Sequence, residues 1–206
     1  GQVVLDGVGV PDNPVTLHRV TSQASGEVAS TVTDRDGYFQ FPVPNVEGTD
    51  FTVYFATADY LSVRFFGDPL HADSAATTDY RVVVYDTASV LPEPLRIASR
   101  DMFLIGNLLG GWEVFEVVQV LNPTSVALVA TEGNPAFEFR IPEGASDFQV
   151  GEGDVLPHEL TWMEDRVLQI TPVTPGTHQI FISYRLPEGP ATSSLLIEQP
   201  TDTMNV

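Results

Sequence analysis

Two aspartates and a glycine near the start of the chain have the spacing with which a calcium-binding loop begins. Asp34 and Asp36 are two residues apart and Gly37 follows, as at the start of an EF-hand loop. Tyr38 to Phe41 then alternates as a strand does, and no carboxylate stands where the bidentate closing ligand belongs. The pattern therefore favours a turn in which Asp34 accepts backbone N–H groups and Gly37 takes a positive φ. A weak calcium site at Asp34 and Asp36 is the alternative.

Other patterns that carry chemistry are incomplete in this sequence. The chain has no cysteine and no Gly-x-Ser-x-Gly motif, which disfavours thiolate metal sites and serine hydrolase chemistry. Glu113 and Glu116 are three apart on a predicted strand, so they are expected on opposite faces and cannot act as a carboxylate pair. The four histidines are scattered and form no metal-binding pair: His18, His71, His158 and His178. We therefore expect no catalytic residue, no cofactor and no enzyme activity.

The charge of the chain excludes a class of partners. The 206 residues carry a formal net charge of −19, and all nine basic residues are arginines that lie far apart. Nucleic-acid binding needs clustered Lys or Arg, and a field of this sign repels phosphate backbones and anionic headgroups. Since 43% of the residues are hydrophobic, the chain is expected to fold around real cores. The sequence predicts a folded acidic protein with no nucleic-acid partner.

No apolar run is long enough to cross a bilayer as a helix. The longest candidate, Met102 to Leu109, is interrupted by Gly106 and Asn107, whereas a spanning helix needs about 20 apolar residues. The given residues are therefore expected not to span a membrane, which leaves room for a leader or an anchor outside them.

Period-two alternation recurs along the whole chain and predicts an all-β protein. Gly, Pro, Asn and Asp clusters separate short strands at the spacing of antiparallel sandwiches. Strand pairing is expected to stop at the Pro-containing segment after Asp86. We therefore predict two tandem antiparallel β-sandwiches. The predicted domains are 1–87 and 95–200, with a linker at 88–94 and a polar tail at 201–206.

One turn is unusually apolar. Leu108, Leu109 and Trp112 follow the run that starts at Met102, and if exposed they form a patch too adhesive for an isolated monomer. Aromatic residues of strands usually face inward, so a place in the core is the alternative. As an interface, Leu108, Leu109 and Trp112 are the predicted partner-binding residues.

The first half resembles a known family. Its motifs come in the order Pro14-Val15-Thr16-Leu17, Val28 to Thr33, Asp34-Arg35-Asp36-Gly37-Tyr38-Phe39 and Phe51-Thr52-Val53. This order is similar to that of the carboxypeptidase regulatory-like, transthyretin-related β-sandwich, over about residues 1 to 87. The second half looks like an Ig-like companion sandwich of bacterial envelope proteins, from Pro172 to Gly176 and Phe181 to Pro187. The resemblance implies a non-catalytic module of secreted or envelope proteins.

These observations support three hypotheses of different classes. The first is a non-enzymatic, extracytoplasmic structural or interaction protein. It would be an accessory or scaffold subunit of a larger envelope or membrane complex, periplasmic or extracellular, with protein partners. The second is a carbohydrate-binding or adhesive module that stacks sugars on Tyr38, Tyr54, Trp112 or Trp162. The third and least favoured is a carboxylate-dependent hydrolase.

Overall fold

A computed structural model describes residues 1–42, 52–71, 79–106, 110–188 and 195–206. The prediction of an all-β protein built of antiparallel sheets is confirmed, because the described residues form β-strands, and their one helical element is a 3-10 turn at Pro157–Glu159. The chain divides into two compact units, Gly1–Asp86 and Thr87–Val206. They are called the first unit and the second unit below.

The first unit contains eight described strands in two sheets. The strands are β1 (Gln2–Leu5), β2 (Val8–Gly9), β3 (Pro14–Thr21), β4 (Ser25–Val32), β5 (Thr52–Tyr60), β6 (Val63–Phe66), β7 (Leu70–His71) and β8 (Arg81–Val83). One sheet has the order β2-β1-β8, with β1 and β8 parallel. The other has the order β4-β3-β5-β6, and β7 also pairs with β5.

Alternation along the strands builds the first core. Val15 and Leu17 of β3 lie opposite Ala58 and Ala56 of β5, and all four are buried. Because side chains of a strand alternate between faces, the residues between them face outward. The central β5 thus presents small side chains to the core.

The second unit contains ten described strands. They are β9 (Thr87–Ala88), β10 (Arg96–Gly106), β11 (Trp112–Asn122), β12 (Ala127–Leu128), β13 (Phe137–Arg140), β14 (Ser146–Val150), β15 (Leu160–Met163), β16 (Arg166–Gln169), β17 (Gly176–Leu186) and β18 (Met204–Asn205). A five-stranded sheet has the order β14-β17-β11-β10-β18, a three-stranded sheet the order β13-β16-β15, and β12 pairs with β9.

The core of the second unit joins residues of its two larger sheets. Val114, Val118 and Val120 lie on one face of β11 and are buried in the same cluster as Phe137 and Phe139 of β13. Glu116 has the same parity on β11 and is also buried. Glu116 therefore faces a largely apolar interior, which it shares with the buried Arg100.

Two sequence-based predictions of local structure need correction. Tyr38 to Phe41 forms no ladder, since Tyr38 makes a single bridge to Gln2 and Phe39 N–H donates to Gly1 O at 2.9 Å. Pro42, which has no N–H to donate, limits any extension of this pairing. Val43, the last residue of that predicted strand, lies outside the described residues.

The predicted polar tail, 201–206, is ordered in part by pairing with β10. Thr201 bridges to Ile97, and β18 pairs in parallel with Arg100 and Asp101 of β10. The tail is ordered because backbone pairing with β10 satisfies its N–H and C=O groups. The second prediction that needs correction is a strand from Ser194 to Gln199, because residues 195–199 have no strand pairing and Ser194 lies outside the described residues.

Candidate interaction site on the second unit

The hairpin of β10 and β11 carries the main apolar surface of the second unit. Phe103 lies opposite Phe115, and Gly106 lies opposite Trp112. Exposure reaches 58% for Phe103, 55% for Ile105 and 48% for Trp112. We call the exposed residues Phe103, Leu104, Ile105, Trp112 and Phe115 the apolar hairpin end.

Strand geometry explains why these side chains reach solvent. Phe103 and Ile105 alternate with Met102, which is in the core, so they stand on the outer face of the sheet. Leu104 has the parity of the core residues but is also exposed. The cover on the inner face therefore reaches Val114 of β11 but not Leu104 opposite it, and both faces of this end of β10 are open.

Of the three predicted partner-binding residues, the structure describes Trp112. Trp112 is half-exposed and belongs to the apolar hairpin end. Leu108 and Leu109 lie outside the described residues. Sequence reasoning missed Phe103, Ile105 and Phe115, although three apolar residues in a row at Phe103 to Ile105 place at least one of them outward in any strand.

Directly inside this sheet lies a buried polar cluster formed by Arg100, Glu116 and Tyr184. Arg100 Nε donates to Glu116 Oε2 at 2.8 Å, and Tyr184 Oη donates to Glu116 Oε1. Arg100 Nη2 lies 2.7 Å from the same Oε2 but without the alignment of a hydrogen bond. The guanidinium also stands 5.4 Å from the centre of the Phe139 ring, within the range of a cation–π contact.

Burial controls the ionisation of this cluster. Desolvation raises the pKa of Glu116, although the Arg100 charge and the hydrogen bond from Tyr184 act in the opposite direction. Burial also raises the pKa of Tyr184, and the neighbouring Glu116 carboxylate adds to that shift. Since the Glu116 side chain has no exposed surface and that of Arg100 has 3%, the cluster cannot contact a substrate as it stands. Its chemistry is to hold β10, β11 and β17 in register.

The carboxylates Glu113 and Glu116 lie on opposite faces of β11, as their spacing predicts. Glu113 pairs with Ile105 and Arg185 on the outer side of the sheet, whereas Glu116 is buried. Two carboxylates on opposite faces cannot flank one bond of a substrate.

Asp34 acts as a turn residue. Its Oδ1 accepts the N–H groups of Asp36 at 2.9 Å and of Tyr38 at 2.8 Å, and Gly37 has a φ of 79°. Asp36 is paired with the exposed Arg35. Within the described ranges, no group of three or more His, Asp or Glu side chains is placed to hold a metal ion. The calcium hypothesis for Asp34 and Asp36 gains no further ligand from the fold.

The outer face of the first unit's larger sheet carries paired polar groups beside the exposed Phe66. His18 stacks on Phe55 with the ring centres 4.9 Å apart, and its Nε2 lies 3.0 Å from Thr57 Oγ1. Arg64 binds both oxygens of Asp59, at 2.8 and 3.0 Å. Burial lowers the pKa of His18, so its imidazole stays neutral to lower pH than usual.

The remaining candidate residues are dispersed. His178 Nε2 donates to Thr174 O at 2.7 Å, and His158 lies in the 3-10 turn. Tyr54 is buried and cannot present its ring to a sugar. Trp162 stacks on Phe148 with ring centres 5.5 Å apart and 21° between the planes.

Comparisons with protein-family models, curated proteins and solved structures give no match for this chain. In the described part of the chain, no helix has the length and apolar character needed to span a bilayer.

Proposed function

We propose that this protein is a non-enzymatic, extracytoplasmic interaction protein that serves as an accessory or scaffold subunit of a larger envelope or membrane assembly. The observation that carries the proposal is the apolar hairpin end, where Phe103, Ile105 and Trp112 are about half exposed. Exposed apolar patches that are contiguous and include aromatic residues mark interaction surfaces.

The energetics of the apolar hairpin end favour a partner. Fully burying a side chain such as Phe or Ile contributes about 1.5–3 kcal/mol, so a partner that covers several of them offsets much of the cost of association. Exposure also differs between neighbouring apolar residues, because Met102 and Val114 on the inner face of the sheet are buried. The fold already has a core and does not need these side chains for it.

Two further observations support a role without catalysis. The densest polar cluster of the second unit, Arg100 with Glu116 and Tyr184, is closed to substrates. Glu113 and Glu116, the two carboxylates of β11, lie on opposite faces of that strand. The extracytoplasmic location rests on the resemblance of residues 1–87 to modules of secreted and envelope proteins.

Site-specific photocrosslinking in the native host tests the proposal. Phe103 is replaced by p-benzoylphenylalanine, and Phe66 is replaced in the same way as a matched control, because it is an exposed phenylalanine of the first unit. We expect irradiation to yield one discrete protein adduct from position 103, identified by mass spectrometry, and no such adduct from position 66. Absence of an adduct at 103, or the same diffuse products at both positions, would contradict the proposal.

A carbohydrate-binding role is the second candidate, favoured by the stacked and partly exposed Trp162. An exposed indole is a platform on which a sugar ring can stack. A glycan array probed with the wild type and Trp162→Ala tests this role. Binding that Trp162→Ala abolishes would support it, whereas an array without signal would leave the interaction protein alone.

A further inference from the structure

β10 leaves part of its backbone edge unpaired in the second unit. Within the described residues, β18 pairs with β10 only at Arg100 and Asp101, and no strand follows it along Phe103 to Gly106. Arg100 N–H donates to Thr203 O at 3.0 Å, toward β18. Because backbone groups alternate in direction along a strand, Leu104 and Gly106 direct their N–H and C=O groups to the same side.

This edge lacks the usual protection against pairing. Natural edges carry charged residues, prolines or bulges, but Met102 to Gly106 contains no charge and no proline, and its pairing with β11 is regular. One edge strand of the first unit's larger sheet, β4, is different. β4 contains Gly26 and Glu27, and its register with β3 shifts at Leu17 and His18. The β10 edge combines open backbone groups with exposed apolar side chains on both faces.

We propose that the β10 edge from Phe103 to Gly106 binds an extended segment of a partner protein, which adds a strand to the five-stranded sheet. The proposal deepens and rests on the interaction function proposed above. The partner's backbone pairs with Leu104 and Gly106, and its alternate side chains pack beside Phe103 and Ile105. The added strand continues the row that β18 begins at Arg100 and Asp101.

Charge indicates the chemistry of the partner segment. Glu113 is the neighbour of Ile105 on β11, so an acidic side chain borders the apolar hairpin end. Arg185 beside Glu113 is already paired with Asp147 at 3.1 Å. The complementary segment is apolar with basic flanking residues.

The same observations disfavour two other occupants. A bilayer would leave the N–H and C=O groups of Leu104 without partners, at a cost of several kcal/mol for each group, and anionic headgroups repel a chain of net charge −19. A second copy would bring two such charges together. A strand with basic flanking residues pairs with the open backbone groups of β10 and complements the negative charge of the chain.

Amide hydrogen exchange measured by NMR on the whole chain tests the edge. The probe is a short synthetic peptide of alternating valine and threonine with lysine at both ends, added at millimolar concentration. We expect exchange of the Leu104 amide to slow by about tenfold or more, and a peptide N-methylated on alternate residues to leave it unchanged. Unchanged exchange with the unmodified peptide would overturn the proposal.

A pair of variants separates backbone pairing from side-chain contact. Leu104→Pro removes the outward N–H, and the matched Leu104→Ala removes the side chain but keeps that donor. We expect Leu104→Pro to bind the peptide at least tenfold more weakly than Leu104→Ala does, equivalent to about 1.4 kcal/mol. Equal affinities of the two variants for the peptide would contradict backbone pairing at the β10 edge. If Leu104→Pro does not fold, the amide exchange of Leu104 in the unaltered chain decides.

The remaining outcomes distinguish this proposal from the one it rests on. Slowed Leu104 exchange without a cellular adduct at position 103 would refute the interaction function and retain the edge. An adduct at position 103 with unchanged exchange of the Leu104 amide would support the interaction function and refute strand addition at the β10 edge. Flotation with anionic vesicles, or a dimer in sedimentation that Leu104→Pro makes monomeric, would overturn the basic strand in favour of a bilayer or a second copy.

Discussion

The two five-stranded sheets place their polar groups in opposite positions. In the first unit, Arg64 and Asp59 pair on the outer face and the inner face of β5 is apolar. In the second unit, Arg100 and Glu116 pair inside, while Phe103 and its apolar neighbours stand outside. Exposed ion pairs contribute little to stability, and buried ones are costly to break. The first sheet keeps its ion pair on the surface beside the exposed Phe66, whereas the second keeps its pair inside and exposes Phe103 and Ile105.

The largest expected effect comes from breaking the buried pair. Glu116→Gln leaves the Arg100 guanidinium in the core without an anion, which costs about 3–5 kcal/mol in the free energy of unfolding. Urea denaturation followed by the fluorescence of Trp112 and Trp162 reports on the second unit, which holds both tryptophans.

Glu113→Gln is the matched control on the same strand, because Glu113 faces outward. We expect it to change the free energy of unfolding by less than about 0.5 kcal/mol. Equal effects of the two substitutions would contradict the account of the cluster.

Removal of the tyrosine hydroxyl should have a smaller effect. Tyr184→Phe deletes a hydrogen bond to a charged carboxylate, which contributes about 1.5–3 kcal/mol. The raised pKa of Tyr184 stabilises the fold fully below the unfolded value of about 10, and that contribution is lost as the pH rises above it.

The pH profile of Tyr184→Phe provides the check. Tyr184 is the sole tyrosine of residues 87–206, so the wild-type unfolding free energy of the second unit should fall more steeply above pH ~10 than that of the variant. Parallel alkaline profiles would show that the Tyr184 proton is not held by the fold.

We expect the smallest effect on stability from a substitution on the surface of the first unit. Arg64→Ala removes the exposed pair with Asp59, and we expect a loss of less than about 1 kcal/mol in thermal or urea unfolding. A loss of unfolding free energy as large as that of Glu116→Gln would contradict the difference between the exposed ion pair of the first sheet and the buried pair of the second.

Alternation predicts the all-β class and strands such as β3 and β11, because a strand with one buried face repeats every two residues. It cannot predict long-range partners. The buried cluster joins Glu116 to Arg100 and Tyr184, which are 16 and 68 residues away, and only strand order and register bring them together. The sequence signal for this cluster was Glu116, which alternation places on the same face of β11 as Val114 and Val118.

The same reasoning explains the errors. Tyr38 to Phe41 alternates in burial, with Tyr38 exposed and Phe39 buried, but pairing depends on a neighbouring strand and not on the pattern. Of the residues predicted to bind a partner, Trp112 is half-exposed, and Leu108 and Leu109 lie outside the described residues. The apolar turn did not indicate Phe103 and Ile105, which stand on the outer face because they alternate with the core residue Met102.

The double substitution Phe103→Ser with Ile105→Ser tests the central claim most directly, when its unfolding and its binding to the partner crosslinked at position 103 are measured together. We predict that the free energy of unfolding of the second unit changes by less than about 1 kcal/mol, as for surface positions. Calorimetry should show a loss of partner affinity of about a hundredfold, near 2.7 kcal/mol. A core-like loss of stability of about 3 kcal/mol or more, with partner affinity retained, would contradict the account.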